Sequence, residues 1–312
     1  MLHSIFERLD VDTPLNKDMK TKDSTSYLRN TNRYYDLMTG VYQLYVGEHF
    51  HLFLWSEGET REEGIRRTND MFLSDGKLNF SSRVVDLGCG IGSLAILIAK
   101  RYGCEIFATN INEHQLKIAK KRAKQCNLNI DFIKQDVMEL DFGERFDAAF
   151  LIDVEPHLPD KENAIANIKS LLRVNGRLVM TAWLQDENPS FAQMEFLIRP
   201  FCKLIAFPYM ETFRGYRKIF KKQGLRTVKF KDLTNEFRRS VEDFYSRLFK
   251  VIKGHNSLRS MSQIVKNPTF LKTITTADFR KAAEDAFLGP IYIKLCMDAG
   301  VLKLGYFVLE KK

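Results

Sequence analysis

The stretch Arg83-Val84-Val85-Asp86-Leu87-Gly88-Cys89-Gly90-Ile91-Gly92-Ser93 decides how this chain is read. Arg83-Val84-Val85 begins an apolar strand. Gly88 and Gly90 let the backbone turn sharply and come close to a ligand, because no Cβ stands in the way. An apolar segment from Leu94 to Tyr102 follows as a helix. The first turn of such a helix points unpaired N–H groups and a positive dipole end at whatever sits above the strand. Strand, glycine turn and helix together are the nucleotide-binding arrangement of an α/β sheet.

The spacing narrows the ligand. The glycines read Gly-x-Gly-x-Gly, whereas the dinucleotide fingerprint is Gly-x-Gly-x-x-Gly. Asp86 stands just before them. A negative charge there repels a pyrophosphate and suits a cationic amino-acid group. An acid followed by this glycine pattern resembles motif I of S-adenosylmethionine (SAM) dependent methyltransferases. A Gly-rich turn with no ligand stays the alternative.

The alternation of a parallel α/β unit extends outward from this stretch. Strands are expected at Glu105–Thr109, Ile130–Lys134, Phe146–Ile152 and Arg177–Trp183, with helices at Ser93–Tyr102, Glu113–Cys126 and Lys161–Leu172. Upstream, residues 1–32 read as a polar, mobile N-terminus. Residues 33–75 read as a helical lid, aromatic from Arg33 to Trp55, with a helix over Thr60–Leu73. Residues 76–184 form the Rossmann-like core. Residues 185–300 read as a helical cover. It has a helix over Thr212–Gln223 closed by Gly224, a core strand near 227–233, and turns at Gly254-His255-Asn256 and Asn267-Pro268. Residues 301–312 supply the last strand. The fold class is α/β, with helices on both faces of the sheet and a helical insertion late in it.

Composition excludes several classes. With 45% hydrophobic and 28% charged residues the chain is an ordinary globular protein. No apolar run reaches membrane-spanning length, so no integral membrane contact is expected. Five scattered cysteines show neither a Cys-x-x-Cys pair nor zinc spacing, so no metal is expected and a cytoplasmic, reducing location fits. The net charge of +9 comes from short clusters, Lys117–Lys124, Arg214–Lys222 and Lys250–Lys253. At helical spacing these read as solvated faces rather than a nucleic-acid stripe.

The next strand ends carry polar groups where a nucleotide would lie. After the second strand come Asn110-Ile111-Asn112-Glu113-His114-Gln115. Asn110 offers an amide to sugar hydroxyls, and one of the two asparagines caps the following helix. After the third strand, Asp136 can accept from an exocyclic amine and Val137 can supply an N–H; Asp136 as a plain cap is the alternative.

On these residues the chain resembles the class I SAM-dependent methyltransferases of the sterol C-24, tocopherol and mycolic-acid cyclopropane group. The resemblance rests on Val85–Gly92 and on Asn110–Gln115, close to the sterol enzymes' Asn-Asn-Asn-Glu-Tyr-Gln. It rests also on Tyr34-Tyr35-Asp36 with Gly47-Glu48-His49-Phe50-His51, and on Asp153-Val154-Glu155-Pro156-His157. It covers residues 33–183 well and the remainder loosely. The resemblance implies SAM as cofactor. Gly88 and Gly90 would hold its methionine part, Asn110 and Ile111 its ribose and adenine, Gln115 would lie near the ribose, and Asp136 and Val137 would hold the adenine. Ile152 and Asp153 would lie beside the sulfonium, with Tyr35 and Trp55 folded over the methionine end.

Chemistry should follow the fourth strand, where the transferred methyl would be. His157 titrates near neutral pH and is the candidate general base. Glu155 could steady a cation or orient the acceptor. A packed or capping histidine is the alternative at 157, and His49 and His51 are further candidates. The cover is aromatic, from Phe191 to Tyr209 and again at Phe237, Phe244, Tyr245, Leu248 and Phe249. Such stripes are usually core, yet they also suit a small lipophilic acceptor such as an isoprenoid, polyketide or aromatic metabolite. Arg214, Arg217, Lys218, Arg238 and Arg239 leave room for an anionic group on it. Three rivals remain open: a nucleic-acid methyltransferase, a nicotinamide oxidoreductase, and a SAM-binding protein that transfers no methyl.

Overall fold

In a computed structural model, residues 24–45, 54–143, 145–252 and 277–312 are described. Two helices come first, α1 (Ser24–Tyr45) and α2 (Arg61–Asp75). The sheet then alternates with helices: β1 (Arg83–Leu87), α3 (Ser93–Tyr102), β2 (Glu105–Asn110), α4 (Glu113–Gln125), β3 (Asp131–Lys134), β4 (Phe146–Leu151), α5 (Lys161–Leu171) and β5 (Leu172–Gln185). A helical run follows: Phe191–Gln193, a π-helical turn Met194–Ile198, and α6 (Arg199–Leu204). After it come β6 (Glu211–Thr212), α7 (Phe213–Lys222), β7 (Leu225–Asp232), α8 (Thr234–Ile252), α9 (Ala277–Asp298) and β8 (Leu302–Lys311).

Among the described residues eight strands make one sheet, ordered β3-β2-β1-β4-β5-β8-β7, with β6 beside β5. The pairs from β3 to β5 are parallel, and β8 runs antiparallel between β5 and β7. The order reverses at β1, with β2 on one side and β4 on the other. That switch point is where open α/β sheets bind ligands.

Side chains of a strand alternate between faces. Val84 and Val179 join one apolar cluster, with Ile98 of α3 and Leu116 of α4. Val85, Leu178 and Met180 join the other, with Ile168 of α5 and Phe220 of α7. Val84, Val85 and Leu87 are wholly buried, and each contributes about 1.5–3 kcal/mol by leaving water. β1 is thereby pinned in the middle of the sheet, and its carboxyl end is a rigid platform.

Two expectations are corrected here. The first helix starts at Ser24, inside the region read as an irregular N-terminus. Its inward positions Tyr27, Thr31, Tyr34, Met38 and Thr39 follow helical spacing, but several are polar or hydroxylated, so an apolar stripe is not visible in the sequence. β5 begins at Leu172 rather than Arg177. Leu172 pairs with Phe146, and a register shift follows before Arg177 meets Ala148. Asn175, at φ 65°, lies in that irregular stretch. Residues 1–23, 46–53 and 253–276 lie outside the described residues, as do the expected turns at 254–256 and 267–268.

Candidate functional site

One cavity opens at the carboxyl edge of the sheet, and β1, β2, β3 and β4 all end in it. At β1, Gly88 has φ 71°, and a Cβ there would lie 2.3 Å from Val154 Cγ2. Glycine is therefore required at 88 both by conformation and by the loop pressed against it. Gly90 follows at φ 55° and lines the cavity. Beneath the turn Asp86 is 3% exposed, and its Oδ2 has no hydrogen-bond partner within the protein. Burial pushes its carboxyl up to about 7, against the pull of the Ala95 backbone. A buried acid with an idle oxygen facing a cavity is matched by a cation. The α-ammonium of a SAM methionine group is such a cation, so the residues present fit that cofactor.

At the end of β2, Asn110 Nδ2 donates to Gln115 Oε1 at 2.8 Å and to the Gly90 carbonyl at 3.3 Å. Both side chains line the cavity with Ile111. The cap is Asn112, whose side chain accepts from Gln115 N at 2.8 Å. At the end of β3, Asp136 does two jobs. Its Oδ1 accepts from Met138 N at 3.0 Å, capping a short 3-10 turn, and it also lines the cavity with Val137. Tyr27 of α1 donates its hydroxyl to the other carboxylate oxygen.

Ile152 and Asp153 stand at the end of β4 and line the cavity. Asp153 has φ 57°, an uncommon conformation for a residue with a Cβ. The 3-10 turn Glu155–His157 then divides its side chains. His157 faces the cavity, with Nδ1 3.2 Å from the Ala206 carbonyl and Nε2 2.9 Å from the Tyr35 hydroxyl. A carbonyl only accepts, so Nδ1 carries the hydrogen, Nε2 is the bare acceptor, and Tyr35 donates. Burial pushes the imidazole down to about 4, so it is neutral at physiological pH.

Glu155 does not line this cavity, which corrects its expected place beside the acceptor. It is 1% exposed, and its electrostatic neighbours are Lys161, Tyr216, Glu211 and Asp153. Burial lifts it to about 7 despite Lys161. Lys161 is itself buried. Its Nζ donates to the carbonyls of Leu158 at 3.1 Å and Tyr209 at 3.0 Å and sits over the Tyr209 ring. The two residues on either side of Pro156 thus serve opposite sides of the turn.

Helix α1 roofs the polar strand ends. Besides Tyr27 and Tyr35, its Thr39 accepts from Gln115 Nε2 at 3.0 Å, and its Asp36 accepts from Asn112 Nδ2 at 2.8 Å. Trp55 lines the cavity. It fits because α2 has Gly64 at the contact, where a Cβ would be 2.4 Å from Trp55 Cβ. Trp183 at the end of β5 and the cover residues Ile205, Phe207, Phe237, Pro290 and Ile293 close the other side. Phe191 and Phe196 face outward instead, at 78% and 55% exposure. The side chains of Phe244, Tyr245, Leu248 and Phe249, and the whole of His49 and His51, fall outside the described parts.

The cationic anchor expected for an anionic acceptor is not in the cavity. Arg238 bonds Asp298 and the Met297 carbonyl, and Arg239 reaches Glu57 at 3.2 Å. Arg214, Arg217 and Lys218 lie on α7 outside the lining. Among the described lining residues the single cation is Arg61, against Asp86, Asp136, Asp153 and Asp243. Sequence reasoning missed Tyr27 and Trp183, while Phe207 was among the aromatic residues expected in the cover. Tyr27 sits in a polar run, and Trp183 reads as the end of an ordinary core strand.

Comparison with known proteins agrees with this geometry. Residues 84–176 match the family described as a methyltransferase domain. A sterol 24-C-methyltransferase of Saccharomyces cerevisiae is 31% identical over 179 residues, 55% of this chain and 47% of that enzyme. The chain thus spans about half the length of the curated relatives it matches. Among solved structures, a cyclopropane synthase from Mycobacterium tuberculosis superposes with a TM-score of 0.74 at 15% identity, covering 93% of this chain and all of that one. A geranyl diphosphate methyltransferase gives 0.66 with 14% identity, covering 92% of this chain. The fold is that of the class I methyltransferases. No described helix is long and apolar enough to cross a membrane.

Proposed function

We propose that this protein is a SAM-dependent methyltransferase acting on a small lipophilic acceptor that gains positive charge when methylated. The observation that carries the reading is the idle Asp86 oxygen beneath the Gly88–Gly90 turn, in a cavity that also collects the ends of β2, β3 and β4. Asp86 and the turn would hold the methionine part, Asn110, Ile111 and Gln115 the ribose, and Asp136 and Val137 the adenine. Bound there, SAM supplies an activated methyl whose C–S bond breaks with the electron pair left on sulfur.

The residues around the acceptor do little covalent chemistry; they align it and exclude water. An alkene or amine attacking through its own pair becomes cationic, and the rings of Tyr35, Trp183 and Phe207 offer it aromatic surface. In the alkene case one proton then has to leave. It can pass to the Tyr35 oxygen while the Tyr35 proton passes to His157 Nε2, along the existing 2.9 Å contact. An imidazole held at about 4 is too weak to ionise a neutral alcohol beforehand. It suffices afterwards for the strongly acidic C–H proton beside a carbocation, whereas a methylated amine would leave as the ammonium with its proton. The sterol enzyme match supports a carbon acceptor. A reducing, cytoplasmic setting suits the five free cysteines.

The test is parallel calorimetric titration of SAM and NADH, followed by transfer of labelled methyl to a panel of isoprenoid alkenes, amines and phenols. Micromolar SAM binding without NADH binding, with label entering alkenes or amines, is the expected result. His157→Ala should keep SAM affinity and slow transfer about 10- to 100-fold. Label entering phenols alone would overturn the charge argument, and absent SAM binding would overturn the whole reading.

A further inference from the structure

Asp153 is held by a second strand in a way the turn after β4 does not require. Its left-handed backbone is unfavourable for a residue with a Cβ and persists only where neighbours impose it. Those neighbours are Thr181 and Trp183 of β5, two residues apart and so on one face of the sheet. Asp153 N donates to Thr181 Oγ1 at 2.8 Å. The Thr181 hydroxyl donates back to Asp153 Oδ1 at 3.2 Å, and the Trp183 indole N–H reaches the same oxygen at 3.5 Å. Thr181 is 1% exposed and Trp183 is 7% exposed. Trp183 is braced in turn by Phe201, Phe207 and Phe237, with ring centroids 5.0–5.9 Å away. Both donors on β5 are neutral, so neither of them cancels the charge of the carboxylate they orient.

The place of Asp153 gives this clamp a purpose. On one side the next residue, Val154, packs on the Gly88 turn, the methionine end of the cofactor site. On the other side Trp183 and Phe207 wall the acceptor chamber. The sulfur joins the methionine and adenosine parts and must face the acceptor between these limits. We infer that Thr181 and Trp183 are positioning residues that aim the Asp153 carboxylate at the sulfonium, so that the site distinguishes SAM from S-adenosylhomocysteine by charge. This inference rests on the methyltransferase reading above. The two ligands differ by one methyl group and one positive charge. A carboxylate aimed at the sulfur favours the charged form and lets the neutral product leave.

The experiment is calorimetric titration of the full chain with SAM and, separately, with S-adenosylhomocysteine, read as the ratio of the two affinities. Asp153→Asn should lower the preference for SAM about tenfold, since one close charge interaction is removed. Thr181→Val and Trp183→Phe should lower it about threefold, and Thr181→Ser should restore it because the hydroxyl remains. Melting temperatures of all variants identify any that fail to fold, and Thr181→Ser with Trp183→Phe then carries the comparison. Equal weakening of both ligands, or an unchanged ratio in Asp153→Asn, overturns the inference while leaving the methyltransferase reading intact. Failure of the unaltered protein to bind either ligand overturns the reading itself and the inference with it.

Discussion

The carboxyl edge of β1 to β4 and the helical cover face each other across one cavity and are built on opposite principles. The edge is polar and cross-linked by side-chain amides and carboxylates. Asn110, Gln115 and Thr39 form one chain of hydrogen bonds, and Asn112 with Asp36 forms a second. The cover is aromatic and packed, with Phe201 stacked on Trp183 of β5 and Phe207 and Phe237 edge-on to it. Hydrogen bonds are directional and recognise one ligand shape, whereas apolar packing is tolerant of shape. The same nucleotide-shaped edge can therefore serve acceptors that only the cover selects.

If the two regions divide the work in this way, substitutions in them should separate binding from stability. Gly88→Val should give the largest effect. The new Cβ meets Val154 in a left-handed backbone, and SAM binding by calorimetry should disappear while the sheet still folds. Phe201→Ala, in the cover, should do the reverse. It deletes a wholly buried ring at a cost of about 3–5 kcal/mol in denaturant unfolding, with SAM affinity changed less than about threefold. Loss of SAM binding in Phe201→Ala would break the division.

Two further predictions sharpen it through pH. Asp86 is pushed up to about 7 and must be ionised to hold an ammonium group. SAM affinity should therefore fall about tenfold per pH unit below about 7, with proton release on binding, and Asp86→Asn should flatten the profile. The smallest effect is expected behind the site. Folded Glu155 keeps its proton up to about 7, while the unfolded chain releases it near the usual 4.5. The folded state is thus favoured below about 4.5, and that contribution is lost as pH rises towards 7. Glu155→Gln removes the loss. It should melt with the unaltered protein at pH 5 and be about 1 kcal/mol more stable at pH 8, the gain being limited because Lys161 loses a neighbour.

The edge was legible in the sequence because its determinants are local. Apolar runs, glycines at 88, 90 and 92, and polar residues at 86, 110, 115 and 136 sit where each strand stops. The cover was legible only as composition. Which of its rings face inward depends on packing between distant segments, so Phe207 and Phe237 line the cavity while Phe191 and Phe196 do not. Charge was misleading for the same reason. Arg238 and Arg239 lie beside aromatic residues in sequence, yet their partners, Asp298 and Glu57, are far away along the chain. Glu155 and His157 differ because a 3-10 turn sends neighbours in different directions, and spacing alone does not say which one faces the ligand.

The position of β8 also bears on how the chain is made. β8 is translated after the whole cover, yet it lies inside the sheet, pairing with β5 along one edge and β7 along the other. While a ribosome is still synthesising α8 and α9, the strands from β3 to β5 can already be assembled, but β5 and β7 have no shared partner. Contacts between segments so distant in sequence form slowly, and an open strand edge invites pairing with other chains. The nascent protein would then pass through an interval in which its cofactor half is complete and its other half is exposed to aggregation, and a chaperone acting in that interval would have β5 to protect.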